Sequence, residues 1–263
     1  MAYSQIGVVG AGIMGEALIV TLLRGGVDAK SISIVEKRAE RKKEIEEKYQ
    51  VSSSSLAECE VVFLLVKPQD LDSTLSEFKS EIKSDALIVS FVAGKSTASI
   101  EGKLSSTQRV IRVMPNTPMT LGKGFCGMSG GKFAEPEDLA WVEKMLSSSS
   151  LVIVVPEHQQ DAVTALSGSG PAYFFLMVEA MAEAGKKLGL SESDALRAAK
   201  EVLIGAAAMV EKSGKDPKTL RENVTSPNGT TFAALTTFNS EGFVEVVYKA
   251  MKAARDRSIE LSS

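Results

Sequence analysis

The sequence predicts an α/β protein, with an N-terminal doubly wound parallel sheet over residues 1–157 and an all-helical C-terminal domain over residues 158–263. Three observations carry this reading. Short β-branched runs alternate with helical stretches in the first half, those runs are continuous and do not alternate polar with apolar, and no β-rich run appears beyond His158. Strands buried on both faces read as unbroken apolar runs, and joining them by helical crossovers gives a parallel sheet.

In chain order, the expected strands are Ile6–Val9, Ile32–Val35, Val61–Val66, Leu87–Val92 and Val110–Val113. Helical stretches lie between them at Gly15–Arg24, Ala39–Lys48, Gln69–Ile82 and Thr97–Leu104. A further pair, Gly124–Met128 and Leu151–Val155, flanks a helix from Pro136 to Ser147 and extends the sheet. In the second half, helical patterns cover Gln160–Leu188, Ser191–Ser213 and Phe243–Leu261. Ser191 caps one of these ahead of an acidic first turn, and Gly189 closes the one before. The stretch Phe174–Ala184 is apolar on more than one face, which no helix open to water sustains. Three or four helices make a thin core. Phe174–Ala184 and Ile204–Val210 are therefore expected in a subunit interface: a homodimer through the helical domain, with larger homo-oligomers left open.

Composition narrows the chemistry. A chain of 263 residues buries enough surface to need no disulfide or metal staple, and a net charge of −3 carries no nucleic-acid footprint. The two cysteines, Cys59 and Cys126, form no metal-binding pair and read as core residues of a protein from a reducing compartment. A single histidine, His158, excludes metal sites built on two or more histidines, and its polar surroundings read as a solvated helix start. No metal site is expected, so a cofactor carries any chemistry. The most apolar run, Val61–Val66, is far below the ~20 residues of a membrane span. The N-terminus lacks the basic-then-apolar layout of a signal peptide, and the expected location is the cytoplasm.

Gly10-Ala11-Gly12-Ile13-Met14-Gly15 follows the first expected strand and opens the first helix. In that context GxGxxG reads as a dinucleotide site on a Rossmann-like sheet. Gly10 permits the tight turn, Gly12 lets backbone approach a pyrophosphate, and Gly15 packs helix against strand. The second strand ends at Val35 and Glu36 follows it, 21 residues beyond Gly15, close to the spacing of an acid that binds the ribose 2′-hydroxyl of NADH. Lys37, Arg38 and Arg41 could instead clamp the 2′-phosphate of NADPH. The sequence leaves NADPH or NADH open.

Further stretches stand where strand ends deliver residues to the crevice: Val66-Lys67-Pro68-Gln69, Ser90–Ser96 and Arg112–Pro118. Together with Leu166–Tyr173 and Val224–Ala234, they resemble pyrroline-5-carboxylate reductase from Ile6 to about Leu261. The most specific element is Thr225–Leu235. The chain departs from the family at Asn228, where a glycine is usual, and at Ser52, where many relatives carry an asparagine facing the cofactor. Asparagine tolerates positive φ better than most residues.

The resemblance implies hydride transfer from NADPH or NADH to the C=N carbon of a small-molecule substrate, Δ1-pyrroline-5-carboxylate, giving L-proline. It implies Thr231 as the catalytic hydroxyl beside the ring nitrogen, with Val224, Ser226, Pro227, Gly229 and Thr230 around the substrate. Besides Gly10–Gly15, Glu36, Lys37 and Arg38, the implied cofactor contacts are Ser52, Val66, Lys67, Pro68, Val92, Ala93, Asn116 and Asn223. The residues alone allow blander roles: Thr231 as a helix cap, Asn116 as a turn cap, Lys67 as a solvated lysine. A threonine hydroxyl is too weak an acid to protonate an imine outright, so orientation and relay of a proton from water is the role expected of Thr231.

Two rivals remain. A β-hydroxyacid dehydrogenase needs a catalytic lysine within the long interdomain helix, but Lys186 and Lys187 come near that helix's end. A non-catalytic redox sensor has no use for the Pro227-Asn228-Gly229-Thr230-Thr231 turn at a helix start.

Overall fold

The structure, a computed structural model, describes residues 3–105 and 107–261. Seven strands form one sheet: β1 (Ile6–Val9), β2 (Ile32–Val35), β3 (Val61–Leu64), β4 (Leu87–Ser90), β5 (Arg109–Met114), β6 (Gly124–Gly130) and β7 (Ser150–Val154), in the order β2-β1-β3-β4-β5-β6-β7. The first five run parallel, β6 is antiparallel to β5, and β7 is parallel to β6. A parallel crossover needs a dozen or more residues. The link from Met114 to Gly124 holds only the one-turn helix Thr117–Leu121, so β6 reverses direction.

The helices of this part are α1 (Ile13–Arg24), α2 (Ala39–Tyr49), α3 (Leu71–Phe78), α4 (Thr97–Glu101), α5 (Pro136–Leu146) and the short α6 (Gln160–Val163). They cover both faces of the sheet. One core joins Ile6, Val8 and Phe63 to Leu18 and Ile19 of α1 and Trp141 and Val142 of α5. The other joins Val9, Val62 and Leu64 to Leu71 and Leu75 of α3 and Ile100 of α4. Successive strand residues thus feed opposite faces, the reason the strand runs are unbroken in the sequence. Cys59 and Cys126 are free and buried.

Several expected helices are shorter. The stretch from Gln69 begins as a one-turn helix, Pro68–Asp70, and continues as α3. The stretch from Thr97 stops at Gly102. The long helix from Gln160 is interrupted by a π turn over Thr164–Gly168, closed by the Ser169 N–H donating to the Thr164 carbonyl at 2.9 Å. A Cβ on Gly168 would stand 2.4 Å from Met114 Cε, so this glycine admits β5 to the helix surface.

The chain divides into two compact units, Met1–Ser169 with Ala254–Ser263, and Gly170–Ala253. The first unit runs on to Ser169 because α6 packs onto β6. Gln160 Nε2 donates to Ser129 Oγ at 2.8 Å, and a Cβ on Gly127 would stand 2.6 Å from Val163. The last turns of the chain rejoin the first unit, where Ser258 Oγ donates to Asp161 Oδ1 at 2.7 Å.

The second unit is helical: α7 (Gly170–Lys187), α8 (Glu192–Lys212), α9 (Pro217–Asn223), α10 (Thr230–Ser240) and the start of α11 (Phe243–Glu260). α7 and α8 pack through small residues, Gly185 against Ala195. The Ser191 hydroxyl accepts the Asp194 N–H, the cap expected there. Asp216 caps α9 in the same manner through the Thr219 N–H, a start that the Asp216-Pro217 pair encodes and that the three long patterns obscured. Few of its residues are buried, and Phe174 and Leu176 are 59% and 65% exposed.

Candidate active site: a glycine turn and a threonine helix start

Gly10 leaves β1 with φ +98°, and a Cβ there would stand 2.7 Å from the Leu65 carbonyl oxygen. Only glycine fits both requirements. A Cβ on Gly15 would meet the Gly10 carbonyl oxygen at 2.0 Å, so helix and turn are in direct backbone contact. Gly12 differs, since nothing lies within 4 Å of where its Cβ would be. It is the N-cap of α1 and offers no side chain to the first turn, whose N–H groups are left to a ligand.

Before this turn lies a crevice of about 520 Å³. Gly10 and Gly12 line it with Glu36, Lys37 and Arg38 from the end of β2 and Val66 and Lys67 from the end of β3. These ends meet because β1 lies between β2 and β3. Ligands of doubly wound sheets bind at such carboxyl ends. The open space at Gly12, the uncapped helix start and the lysine fit a nicotinamide dinucleotide. Asp70, Ser73 and Thr74 also line the crevice. Sequence reasoning missed them, although they follow the Lys67-Pro68 turn directly, and Pro68 itself only starts that turn.

Other residues of the glycine segment support the turn. Ala11 is fully buried, Met14 packs on the core, and Ile13 is 74% exposed at the helix start. The Ala11 peptide is gripped at both ends. Its N–H donates to Glu36 Oε2 at 3.1 Å, and its carbonyl accepts from Arg41 Nε at 2.9 Å. Arg41 also pairs with Glu16 and, at 2.8 Å, with Glu44. Hydrogen bonds from Lys48, Arg41 and Tyr49 hold the Glu16 carboxyl down at about 2 against the opposing effect of its burial. Arg41 thus clamps the turn, with its charge set against Glu16 and Glu44.

Glu36 has a side chain only 8% exposed. Its carboxylate accepts from the Arg38 N–H and Nε at 3.0 Å and from Nη2 at 3.1 Å. The guanidinium beside it, foremost, holds its carboxyl below the usual carboxylate range. Lys37 pairs with Glu77 at 3.0 Å.

Four expected cofactor contacts stand elsewhere in this unit. Ser52 extends the sheet edge beside β2, with Ile34 N donating to its carbonyl at 2.8 Å, and it is exposed and outside the crevice lining. Val92 is buried in the core, and Ala93 occupies the turn that follows, outside the crevice lining. Asn116 ties chain segments together. Its Nδ2 donates to the Ser167 carbonyl at 3.2 Å, and its Oδ1 accepts the Phe125 N–H at 2.9 Å. Both ends of its amide are thus bonded within this unit. Among the described residues no cluster of metal-binding side chains occurs, and His158 is exposed on the one-turn helix before α6.

In the second unit, Val224 ends α9 and Asn223 is that helix's last residue, both exposed. Ser226, Pro227, Asn228 and Gly229 form the loop to α10, closed by the Gly229 N–H donating to the Ser226 carbonyl at 3.0 Å. Asn228 takes φ 57°, the left-handed conformation that the usual glycine would adopt freely. α10 then starts at Thr230 from Gly229, with no side-chain cap. Thr231 is therefore no helix cap. Thr225, Thr236 and Thr237 bond carbonyls one turn back, whereas the Thr230 and Thr231 hydroxyls have no partner among the described residues. An uncapped helix start with two free hydroxyls suits an anion carrying a polar ring atom.

Residues 157–261 match the family model "Pyrroline-5-carboxylate reductase dimerisation", and residues 5–94 match "NADP oxidoreductase coenzyme F420-dependent". The chain is 39% identical to the pyrroline-5-carboxylate reductase of Corynebacterium melassecola, covering 98% of each chain. It is 38% identical to that of Pseudomonas aeruginosa, covering 100% of this chain and 98% of the relative. A solved Coxiella burnetii pyrroline-5-carboxylate reductase superposes with a TM-score of 0.91 at 32% identity over 99% of both chains. The Plasmodium falciparum pyrroline carboxylate reductase, solved with NADP bound, gives 0.85 at 26% identity over 98% of both. With its glycine turn, its threonine helix start and this full-length likeness, the chain belongs to the pyrroline-5-carboxylate reductase family.

Proposed function

We propose that this chain reduces the C=N bond of Δ1-pyrroline-5-carboxylate to give L-proline, the last step of proline biosynthesis, with NADPH or NADH as reductant. The observation that carries the reading is the start of α10, where first-turn N–H groups and the hydroxyls of Thr230 and Thr231 stand without partners among the described residues. The N–H groups receive the substrate carboxylate, favoured there by the helix dipole. The Ser226-Pro227-Asn228-Gly229 turn shapes the approach, and Val224 supplies an apolar wall. The reduced nicotinamide, when bound, supplies the hydride that adds to the ring carbon of the C=N bond. The Thr231 hydroxyl hydrogen-bonds the ring nitrogen, fixes the ring's orientation and relays a proton to it from water. Lys67, which lines the crevice at the end of β3, meets the cofactor phosphates.

Incubating the protein with pyrroline-5-carboxylate and either reduced dinucleotide should yield proline by amino-acid analysis; no proline with either would contradict the proposal. Thr231→Ala should remove one hydrogen bond, about 0.5–1.5 kcal/mol, and lower turnover roughly two- to tenfold. The dissociation constant of the cofactor should stay unchanged in that variant. Unaltered turnover would take Thr231 out of the mechanism.

The working form is a homo-oligomer, and its core is a homodimer through the helical unit, where exposed Phe174, Phe175, Leu176 and Ile204 need a partner surface. Light scattering at micromolar concentration should report at least a dimer; a monomer would contradict this. Its place of work is the cytoplasm, in keeping with free buried cysteines and with no described helix long and apolar enough to cross a membrane.

A further inference from the structure

We propose that the Glu36–Arg38 pair at the end of β2 makes this chain selective for NADH over NADPH. The inference rests on the dinucleotide reading of the crevice. Beside Glu36 the sequence sets Lys37, Arg38 and Arg41, enough positive charge to suit a 2′-phosphate. The structure compensates each of them. Arg38 lies bidentate on Glu36, Lys37 reaches Glu77, and Arg41 is held by Glu16, Glu44 and the Ala11 carbonyl.

Glu36 itself cannot withdraw. Its side chain is almost wholly covered, and Oε2 holds the Ala11 N–H of the glycine turn. A fixed carboxylate at this corner accepts a hydrogen bond from a ribose 2′-hydroxyl, as acids do at the end of the second strand in NAD-binding sheets. A 2′-phosphate there would set a dianion against a buried carboxylate and would compete for a guanidinium already engaged. The exposed Lys37–Glu77 pair is weak enough to open, so NADPH binding is reduced and not abolished. Lys67 lines the same crevice from the end of β3, beside the glycine turn.

The test is direct binding of NADH and NADPH to the whole protein, followed by nicotinamide fluorescence at constant ionic strength without substrate. NADH should bind at least about tenfold more tightly. Glu36→Gln, with its fold checked by thermal unfolding, should tighten NADPH and narrow or reverse the ratio, because Arg38 is then released to a phosphate. NADPH binding as tightly as NADH in the unmodified protein would overturn the inference whatever the variant does. A Glu36→Gln protein that folds and keeps the original ratio would overturn it as well. Failure to bind either dinucleotide would overturn both this inference and the dinucleotide reading beneath it.

Discussion

Gly15→Ala should abolish measurable dinucleotide binding and destabilise the protein, against what helix propensity alone predicts. Alanine within an exposed helix is favoured over glycine by about 1 kcal/mol. Here the added methyl would lie 2.0 Å from the Gly10 carbonyl oxygen, a backbone atom with no rotamer to escape into. Either α1 moves off β1 or the turn opens, and overpacking of this kind costs about 1–3 kcal/mol. Both movements displace the N–H groups that receive a pyrophosphate. Gly12→Ala is the companion experiment, because its methyl meets no protein atom. That variant should unfold like the unmodified protein while losing dinucleotide affinity, since the methyl occupies the ligand's approach. Urea unfolding and fluorescence titration separate the two effects. A stable Gly15→Ala protein with normal affinity would refute the described turn.

Arg112→Leu should destabilise the first unit by about 3 kcal/mol. The side chain is 4% exposed on β5, with Nη1 at 3.0 Å from Glu157 Oε1 and Nη2 at 3.7 Å from Asp161 Oδ1. Those acids also accept bonds from the Thr97 N–H and the Ser258 hydroxyl. Removing the guanidinium leaves two carboxylates facing each other in a half-buried site, a larger effect than the loss of a surface pair. The end of α11 should then exchange its amide hydrogens faster, since its tie to Asp161 loses the cation behind it. Stability within about 0.5 kcal/mol of the unmodified protein would mean the network is dispensable.

What the sequence reveals follows from how narrowly each position is constrained. Gly10 and Gly15 are legible because a positive φ and a 2.0 Å approach exclude every other residue. The sheet is legible because its central strands are buried on both faces and do not alternate polar with apolar residues. The reversal at β6 was not, since it depends on a short link and not on the strand's composition. Asn116 shows the same limit within the site. Its partners, Ser167 and Phe125, are set by tertiary packing, and an asparagine between prolines gives no sign of them. Arg41 was visible as a cation, but only the fold shows that its charge belongs to Glu16 and Glu44. At Thr231 the identity of the hydroxyl was legible, and the structure adds that no cap or carbonyl already claims it.

The most direct test of the central claim follows the transferred hydrogen. The protein would be incubated with pyrroline-5-carboxylate and NADH or NADPH deuterated at the transferring carbon of the nicotinamide, and the proline isolated for mass and magnetic-resonance analysis. The account predicts proline carrying one deuterium at the ring carbon that was double-bonded to nitrogen, formed in step with the loss of reduced-nicotinamide absorbance. Dinucleotide that binds but is not consumed, or proline without the label, would contradict it.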